Sequence, residues 1–284
     1  MSAKILDGKS LALQIKEELK LKVEKLKGIG IEPRLDILVS ANDPASIAYV
    51  NMKCKWAAQL GIQTETYEIN ESSTLKGIVL LLDELNENPQ VHGILVQHPL
   101  PSHIDEKKVL SALGSKKDVD GMSPQSLGLL ASGMSGFRCA TALGIMTLLD
   151  RNDIEIEGKN ALVIGRSIIV GKPVSLLLLQ KNATVTIAHS KTQNLPDICR
   201  NAEIVVVAVG KPEMITGEWL RSQAVVVDAG YNKVEGRTHD VGDVHFESTK
   251  DIASWITPVP GGVGPMTVAT LFRNVIDAAK KTIS

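Results

Sequence analysis

The sequence is poor in aromatic side chains and in cysteine. Aromatics make up only 3% of its 284 residues, so a core has to be built from Leu, Ile, Val and Ala, which the 44% hydrophobic content can supply. The three cysteines, Cys54, Cys139 and Cys199, are scattered, form no CxxC pair and have no histidine cluster near them. That argues against a disulfide framework or a structural zinc site and reads as three buried thiols in a reducing compartment. Neither sign of charge is in excess. With 31 basic and 32 acidic residues the net charge is −1, and no basic face of the kind a nucleic-acid binder shows stands out. No apolar run approaches the length that spans a bilayer, and the opening MSAKILDGKS has no apolar signal-peptide core. The expectation is a cytoplasmic protein with no nucleic-acid and no membrane partner. Internal repeats and low-complexity tracts are also missing.

What the sequence has is an alternation of strand and helix patterns. Leu11, Ile15, Leu19, Val23 and Leu26 recur at helical spacing, with Gly28 as the stop. Residues 35–39 read as a strand. A helix over 45–60 is opened by Pro44 and closed by Gly61. A strand over 64–69, a helix over 75–85 and a buried strand over 93–97 follow. A second series runs from strand 161–164 through helix 172–180, strand 184–188, helix 195–201, strands 204–209 and 224–228, and a short strand near Trp255 and Ile256 to a last helix over about 266–281. Such alternation implies parallel strands with helical crossovers, an α/β fold. Length allows two domains of ordinary size, and the Gly-rich stretch 133–136 suggests a boundary near 138–145.

Strand 161–164 ends on the turn Gly165-Arg166-Ser167, ahead of helix 172–180. Strand, glycine turn and helix is the arrangement that offers helix amides to a phosphate. It departs from the usual GxGxxG fingerprint, since Ser167 stands where the second glycine would be, and a plain tight turn is the alternative. The next strand ends in His189-Ser190-Lys191-Thr192, where an NAD-binding domain usually carries a ribose-binding carboxylate. A carboxylate would repel a 2′-phosphate, whereas Arg166, Ser190 and Lys191 can bind one. The reading is NADP rather than NAD, against the alternative of an ordinary polar loop.

Tyr49 and Lys53 lie one turn apart on the helix over 45–60 and share a face. A lysine of lowered pKa can act as base or acid, and a tyrosine ring can stack on a flat heterocycle; a solvated surface pair is the alternative. Two further loops fall where parallel sheets place their ligands, beyond strand ends. One holds Gln97 in Val96-Gln97-His98-Pro99-Leu100-Pro101; the other holds Asp120 in Lys117-Asp118-Val119-Asp120-Gly121, where a turn-capping aspartate is the alternative. Residues 257–267, rich in Pro and Gly, read as an irregular loop that bends sharply or admits a ligand to its backbone.

Together these pieces resemble the bifunctional methylenetetrahydrofolate dehydrogenase/methenyltetrahydrofolate cyclohydrolase family over essentially the whole chain. The specific pieces are Asn42 to Ser46 with Tyr49 and Lys53, residues 93–97, residues 117–121 and residues 256–267. The resemblance implies a folate-binding catalytic domain over 1–138, a Rossmann-type NADP-binding domain over 139–267, a final helix 268–284 returning to the first domain, and an active cleft between the domains. It implies oxidation of 5,10-methylenetetrahydrofolate by NADP⁺, then hydrolysis to 10-formyltetrahydrofolate, within the one-carbon metabolism that feeds purine and amino-acid biosynthesis. Lys53 would be the central catalytic residue, Gln97 would position it, Tyr49 would stack on the folate and Asp120 would hydrogen-bond the pterin. Pro260 and Gly261 would line the folate site. Gly165, Arg166, Ser167, Ser190 and Tyr231 would contact the NADP. No metal is implied, and the partner would be a second copy of the chain in a homodimer. The sequence departs from the family at His98, at Met122-Ser123, across residues 139–144 and at Tyr231, which leaves dehydrogenase activity alone as the alternative.

Overall fold

A computed structural model describes residues 2–282. The chain divides into two compact units, one of Gln14–Ala140 with the residues from Thr270 on, the other of the residues up to Leu13 with Thr141–Ala269. The chain opens with strand β1 (Lys4–Ile5) and helix α1 (Gly8–Gly28). The five apolar positions read at helical spacing along α1 are all buried.

The unit of Gln14–Ala140 holds β2 (Arg34–Ser40), α2 (Pro44–Leu60), β3 (Gln63–Ile69), α3 (Leu75–Glu87), β4 (Gly93–Val96), α4 (Glu106–Ala112) and α5 (Pro124–Ala131). The strands pair in parallel in the order β3-β2-β4. The central strand β2 is buried almost throughout, as a strand covered on both faces requires. Its Asp36 is fully buried and is met by Arg34 at 2.7 and 2.9 Å and by the Tyr67 hydroxyl at 3.1 Å. Parallel pairing brings the carboxyl ends of β2 and β4 level, with Leu38 opposite Val96. Gln97 therefore leaves the sheet beside the loop that enters α2, its N–H donating to the Leu38 carbonyl at 2.8 Å.

Helix α6 (Ala140–Asp150) leads into the second unit, with β5 (Asn160–Ile164), α7 (Gly171–Gln180), β6 (Thr184–Ala188), α8 (Leu195–Asn201), β7 (Ile204–Val207), β8 (Val225–Asp228), α9 (Phe246–Thr249), β9 (Trp255–Ile256) and α10 (Val263–Lys281). Six parallel strands form one sheet in the order β1-β9-β8-β7-β5-β6. The chain steps from β5 outward to β6, then crosses back to β7 on the other side of β5. Such a reversal opens a crevice at the carboxyl ends of the strands, where ligands bind in open α/β sheets. Interior strands β7 and β8 are uniformly buried, while β6 at the edge is mostly exposed.

Several expectations need correction. Residues 263–267 are the first turns of α10 rather than loop; Pro265 is tolerated there because first-turn amides have no partner inside the helix. Residues up to Leu13 group with the Rossmann-type unit, not with residues 14–138, because β1 pairs with β9. The division before α10's second half falls at Ala269, and residues 283 and 284 of the expected final helix lie outside the described residues. Helices α4, α5 and α6 carry no long amphipathic pattern and went unread. Of the cysteines, Cys139 and Cys199 are buried but Cys54 is only partly so.

From Thr270 on, α10 belongs to the first unit. Phe272 stacks on Trp56 with ring centroids 6.4 Å apart, and Asn274 Nδ2 donates to the carbonyls of Val119 at 2.7 Å and Arg138 at 3.3 Å. Asn274 thus ties the loop that carries Asp120 to a rigid helix. Leaving buried carbonyls unpaired costs about 1–3 kcal/mol. Asn274→Ala is therefore expected to lower folding stability by that amount in urea titration, and an unchanged midpoint would contradict it.

Candidate active site

Helix α2 starts where its sequence says it should. Asp43 caps it, accepting from Ala45 N at 3.3 Å, Ser46 N at 3.2 Å and Ser46 Oγ at 2.5 Å, and Pro44 occupies the first turn. It stops at Gly61, whose φ of 77° suits glycine. Between these ends the buried residues are Ser46, Val50, Lys53, Ala57 and Leu60, a core-facing stripe at three- and four-residue spacing. Lys53 sits where an apolar residue would ordinarily be and is only 8% exposed. Tyr49, one turn earlier, keeps 43% of its surface exposed, so its ring can meet a ligand.

The Lys53 ammonium donates to Gln97 Oε1 at 2.8 Å, and Gln97 Nε2 donates to the His98 carbonyl at 2.9 Å. The second bond fixes which end of the amide faces the lysine. Asp120 comes from the loop that Ile94 N holds against β4 by donating to Lys117 O at 2.8 Å. The turn-holding carboxylate of that loop is Asp118, which is fully buried and accepts from Met122 N at 3.1 Å and Ser123 N at 2.8 Å. Asp120 is left within electrostatic reach of Lys53. Gly121 makes this possible, with φ of 64° and a position where a Cβ would lie 2.4 Å from Arg138 C and Cys139 N. Burial pushes the Lys53 pKa down, with the Asp120 charge opposing. Burial pushes the Asp120 carboxyl up to about 6, Lys53 opposing and Asp118 adding to the rise. Each group is thus displaced toward its neutral form.

Two of the departures from the family pattern, His98 and Ser123, have local partners. His98 directs its ring to Glu106, at 2.7 and 2.8 Å from the two carboxylate oxygens, while its carbonyl serves Gln97. Ser123 caps α5 by accepting from Ser126 N at 3.1 Å. Gly144 on α6 packs closely on α10, where a Cβ would lie 3.1 Å from the Met266 backbone.

In the Rossmann-type unit, Gly165 follows β5 with φ of 130°, and a Cβ there would lie 2.2 Å from the Ala208 carbonyl oxygen. A Cβ on Gly171 would lie 2.3 Å from the Gly165 oxygen. Both glycines are required, and the backbones beyond β5 and β7 touch at the point where the strand order reverses. Ser167 Oγ accepts from Val170 N at 3.1 Å and Gly171 N at 3.4 Å, and its carbonyl accepts from Lys172 N at 2.9 Å. The first amides of α7 are therefore already engaged, unlike the open helix N-terminus that the turn implied. The Ser167 hydroxyl proton stays available to donate. Arg166, Ser190 and Lys191 are all exposed, at the ends of the adjacent parallel strands β5 and β6, whose last residues Ile164 and Ala188 pair. Tyr231 follows β8 and is 50% exposed. Pro260 and Gly261 belong to this unit. The peptide bond before Pro260 is cis, and the Gly261 carbonyl accepts from Lys9 N at 2.8 Å.

One cluster escaped sequence reading. Asp228, at the end of β8, accepts from Gly230 N at 2.8 Å, Asp243 N at 3.0 Å and Val244 N at 2.8 Å. Asp243 accepts from Val209 N at 2.6 Å, Gly210 N at 3.0 Å, Lys211 N at 2.8 Å and Asn232 Nδ2 at 2.9 Å. The available signal was a glycine within two residues of each acid, in Asp228-Ala229-Gly230 and Gly242-Asp243. Among the described residues no group of His, Cys, Asp and Glu could hold a metal ion, and no helix is long and apolar enough to cross a membrane.

A unit with a reversing parallel sheet and a glycine turn, together with a unit that buries a lysine on a glutamine, defines a dinucleotide-dependent enzyme of two α/β units. Residues 6–120 match the model of the tetrahydrofolate dehydrogenase/cyclohydrolase catalytic domain, and residues 139–283 match that family's NAD(P)-binding domain. The chain is 49% identical over 281 residues to the bifunctional protein FolD of Moorella thermoacetica, covering 99% of this chain and all of that one. Among solved structures it is similar to the bifunctional FolD of Campylobacter jejuni, with a TM-score of 0.97, 43% identity, and 99% and 100% of the two chains covered. It is also similar to the Trypanosoma brucei N5,N10-methylenetetrahydrofolate dehydrogenase-cyclohydrolase, a complex with NADP cofactor and inhibitor, with a TM-score of 0.94, 36% identity, and 100% and 99% covered. The chain belongs to the tetrahydrofolate dehydrogenase/cyclohydrolase family.

The coupling of Lys53 and Asp120 is open to test. Because the Asp120 carboxylate raises the Lys53 pKa, Asp120→Asn is expected to move the lysine titration, followed by NMR of labelled lysine, to lower pH. The folded Asp120 holds its proton to about 6 against an ordinary 3.8. Its contribution to stability is thus full at pH below 4 and lost as pH rises to about 6. The same variant should flatten the fall of stability across that window. An unmoved lysine titration would show that the two groups do not interact.

Proposed function

We propose that this chain oxidises 5,10-methylenetetrahydrofolate to 5,10-methenyltetrahydrofolate with NADP⁺ and then hydrolyses the methenyl compound to 10-formyltetrahydrofolate, with Lys53 at the centre of the second reaction. Membership of the family supports the two activities. The single observation that carries the residue assignment is the buried Lys53 ammonium held on Gln97 Oε1 at 2.8 Å.

The residues beyond β5 and β6 fit NADP. Gly165 lets the turn after β5 pass against the Ala208 carbonyl at the strand reversal, where open α/β sheets bind dinucleotides. Arg166 and Ser190 suit a 2′-phosphate, Ser167 has a hydroxyl proton to donate to phosphate, and Tyr231 offers an exposed ring. NADP⁺, when bound, accepts a hydride from the methylene carbon, leaving the methenyl cation. Lys53 does its work on that cation. In its neutral form it takes a proton from the attacking water, as general base. Water adds to the methenyl carbon, one C–N bond opens, and the products are the formyl compound and a released proton. Gln97 accepts one Lys53 N–H and so directs the nitrogen lone pair. Asp120 hydrogen-bonds the pterin and Tyr49 stacks on it, while Pro260 and Gly261 line the folate. Lys53, Gln97 and Asp120 are all present, so nothing supports a loss of hydrolysis. The chain works as a homodimer, a reading that rests on the family resemblance, and the cysteine thiols suit a reducing cytoplasm.

Two substitutions test this reading. General-base assistance is worth about 10²–10⁴-fold, so Lys53→Met should lower hydrolysis of supplied methenyltetrahydrofolate by at least about a hundredfold; a full rate would remove Lys53 from its assigned role. Arg166→Ala should raise the KM for NADP⁺ about tenfold or more, the order expected for one charge-assisted hydrogen bond, with far less effect on NAD⁺. Equal effects on the two cofactors would contradict the phosphate assignment.

A further inference from the structure

The paired carboxylates Asp228 and Asp243 have no part in the reactions as described. Both are buried, at 3% and 0% exposure. Ionised carboxylates persist inside proteins only when hydrogen bonds replace their water. Asp243 obtains those bonds from three consecutive amides, Val209, Gly210 and Lys211, in the loop that leaves β7, and from the Asn232 side chain in the loop that leaves β8. Asp228 in turn grips the backbone N–H of Asp243 itself, together with those of Gly230 and Val244. The fit is close. A Cβ on Gly242 would lie 1.8 Å from Asp228 Oδ2, and one on Gly230 would lie 2.3 Å from the Asp243 carboxyl carbon.

The place of this knot in the sheet gives it a consequence. Arg166 and Ser190 follow β5 and β6, on one side of the strand reversal. The loops gathered by Asp243 follow β7 and β8, on the other side. A dinucleotide lying across the reversal with its 2′-phosphate at Arg166 extends toward the second set of loops. Tyr231, half exposed, stands between Gly230 and Asn232, both of which are tied to the knot. The β7 amides are already engaged by Asp243 and do not donate to phosphate, so that loop serves as a shaped wall.

We propose that Asp243, held by Asp228, is a positioning residue for the dinucleotide: it fixes the β7 loop and the Tyr231 loop as a preformed surface for the end of the cofactor remote from the 2′-phosphate. The proposal rests on the reading that this unit binds NADP. Preformed loops bind with less ordering cost than loose ones, so loosening the knot lowers affinity without touching a ligand contact.

The test is calorimetric titration of the whole protein and of Asp243→Asn with NADP⁺ and with NAD⁺. Asparagine keeps the volume but turns one acceptor into a donor facing backbone N–H groups. Both Kd values should rise by the same factor, about tenfold, unlike the NADP⁺-selective loss expected of Arg166→Ala. Hydrolysis of supplied methenyltetrahydrofolate should fall by a smaller factor than cofactor affinity. Unchanged affinity for both cofactors overturns the proposal. So does an equal fall in affinity and hydrolysis together with a lowered melting temperature, which would mark a purely structural role. If Asp243→Asn does not fold, Asn232→Ala removes one of the four donors to Asp243 and leaves the three amides. It should raise both Kd values about threefold, and unchanged values again overturn the proposal. Failure of the unaltered protein to bind NADP⁺ would overturn the cofactor reading and this proposal with it; normal binding by the unaltered protein and by the variants alike overturns the proposal alone.

Discussion

An ammonium group kept out of water on the core-facing stripe of α2 is the constraint that organises the catalytic unit. Lys53 occupies a position between Val50 and Ala57 where the helix would otherwise bury a hydrocarbon. Desolvation alone disfavours its charge, and the Gln97 oxygen and the Asp120 carboxylate are what oppose that penalty. Each depends on a separate feature of the fold. The parallel pairing of β4 with β2 delivers Gln97 at the right level, and the αL turn at Gly121 delivers Asp120. The caps at Asp43 and Gly61 fix where the helix begins and ends, and hence which residue falls on the stripe at Lys53. A shift of one residue in α2 would replace the ammonium by Met52 or Cys54.

The two ionisable groups are shifted in a sense that suits the proposed substrate. The methenyl compound is a cation. A lysine held as a permanent ammonium would repel it and could not take a proton from water. A lysine displaced toward its neutral form does neither. The nearby carboxyl, raised to about 6, is ionised at neutral pH and attracts the cation. If that carboxyl were lowered in the usual way by a fixed partner, its charge would already be neutralised. In the proposed mechanism each partner offsets only part of the other's desolvation, which leaves both able to change state.

Local signals were legible in the sequence, and long-range ones were not. Helix α2 was read to within a residue because Pro44 and Gly61 act through their own backbone. The loops that carry Gln97 and Asp120 stood out because strand ends in parallel sheets collect ligands. The core of the second unit was equally plain in its apolar strand runs. By contrast, α4, α5 and α9 are too short for periodicity to show, and Pro265 looked like a helix breaker because only its position in the first turn makes it harmless. The two aspartates of residues 117–121 could not be told apart from sequence. One caps the turn and one lies within electrostatic reach of Lys53, and only the fold decides that Asp118 has the first part. Asp228 and Asp243 were invisible for a similar reason: the amides that hold Asp243 lie 32 to 34 residues away in the chain.

The serine of the cofactor turn shows how a departure from a fingerprint can be read from geometry. In the glycine-rich form the helix amides are open, and the phosphate is met by backbone and helix dipole. With Ser167 the hydroxyl oxygen takes the amides of Val170 and Gly171, so much of that anion-binding capacity is spent internally. What remains for an anion is the serine's own proton and the side chains that flank the turn. Under the proposed NADP reading, recognition shifts from backbone, which any phosphate can satisfy, toward side chains such as Arg166, Ser190 and Lys191. A turn built this way binds a pyrophosphate less by default. In the proposed reading it depends more on the extra phosphate of NADP, and the missing carboxylate after β6 points the same way.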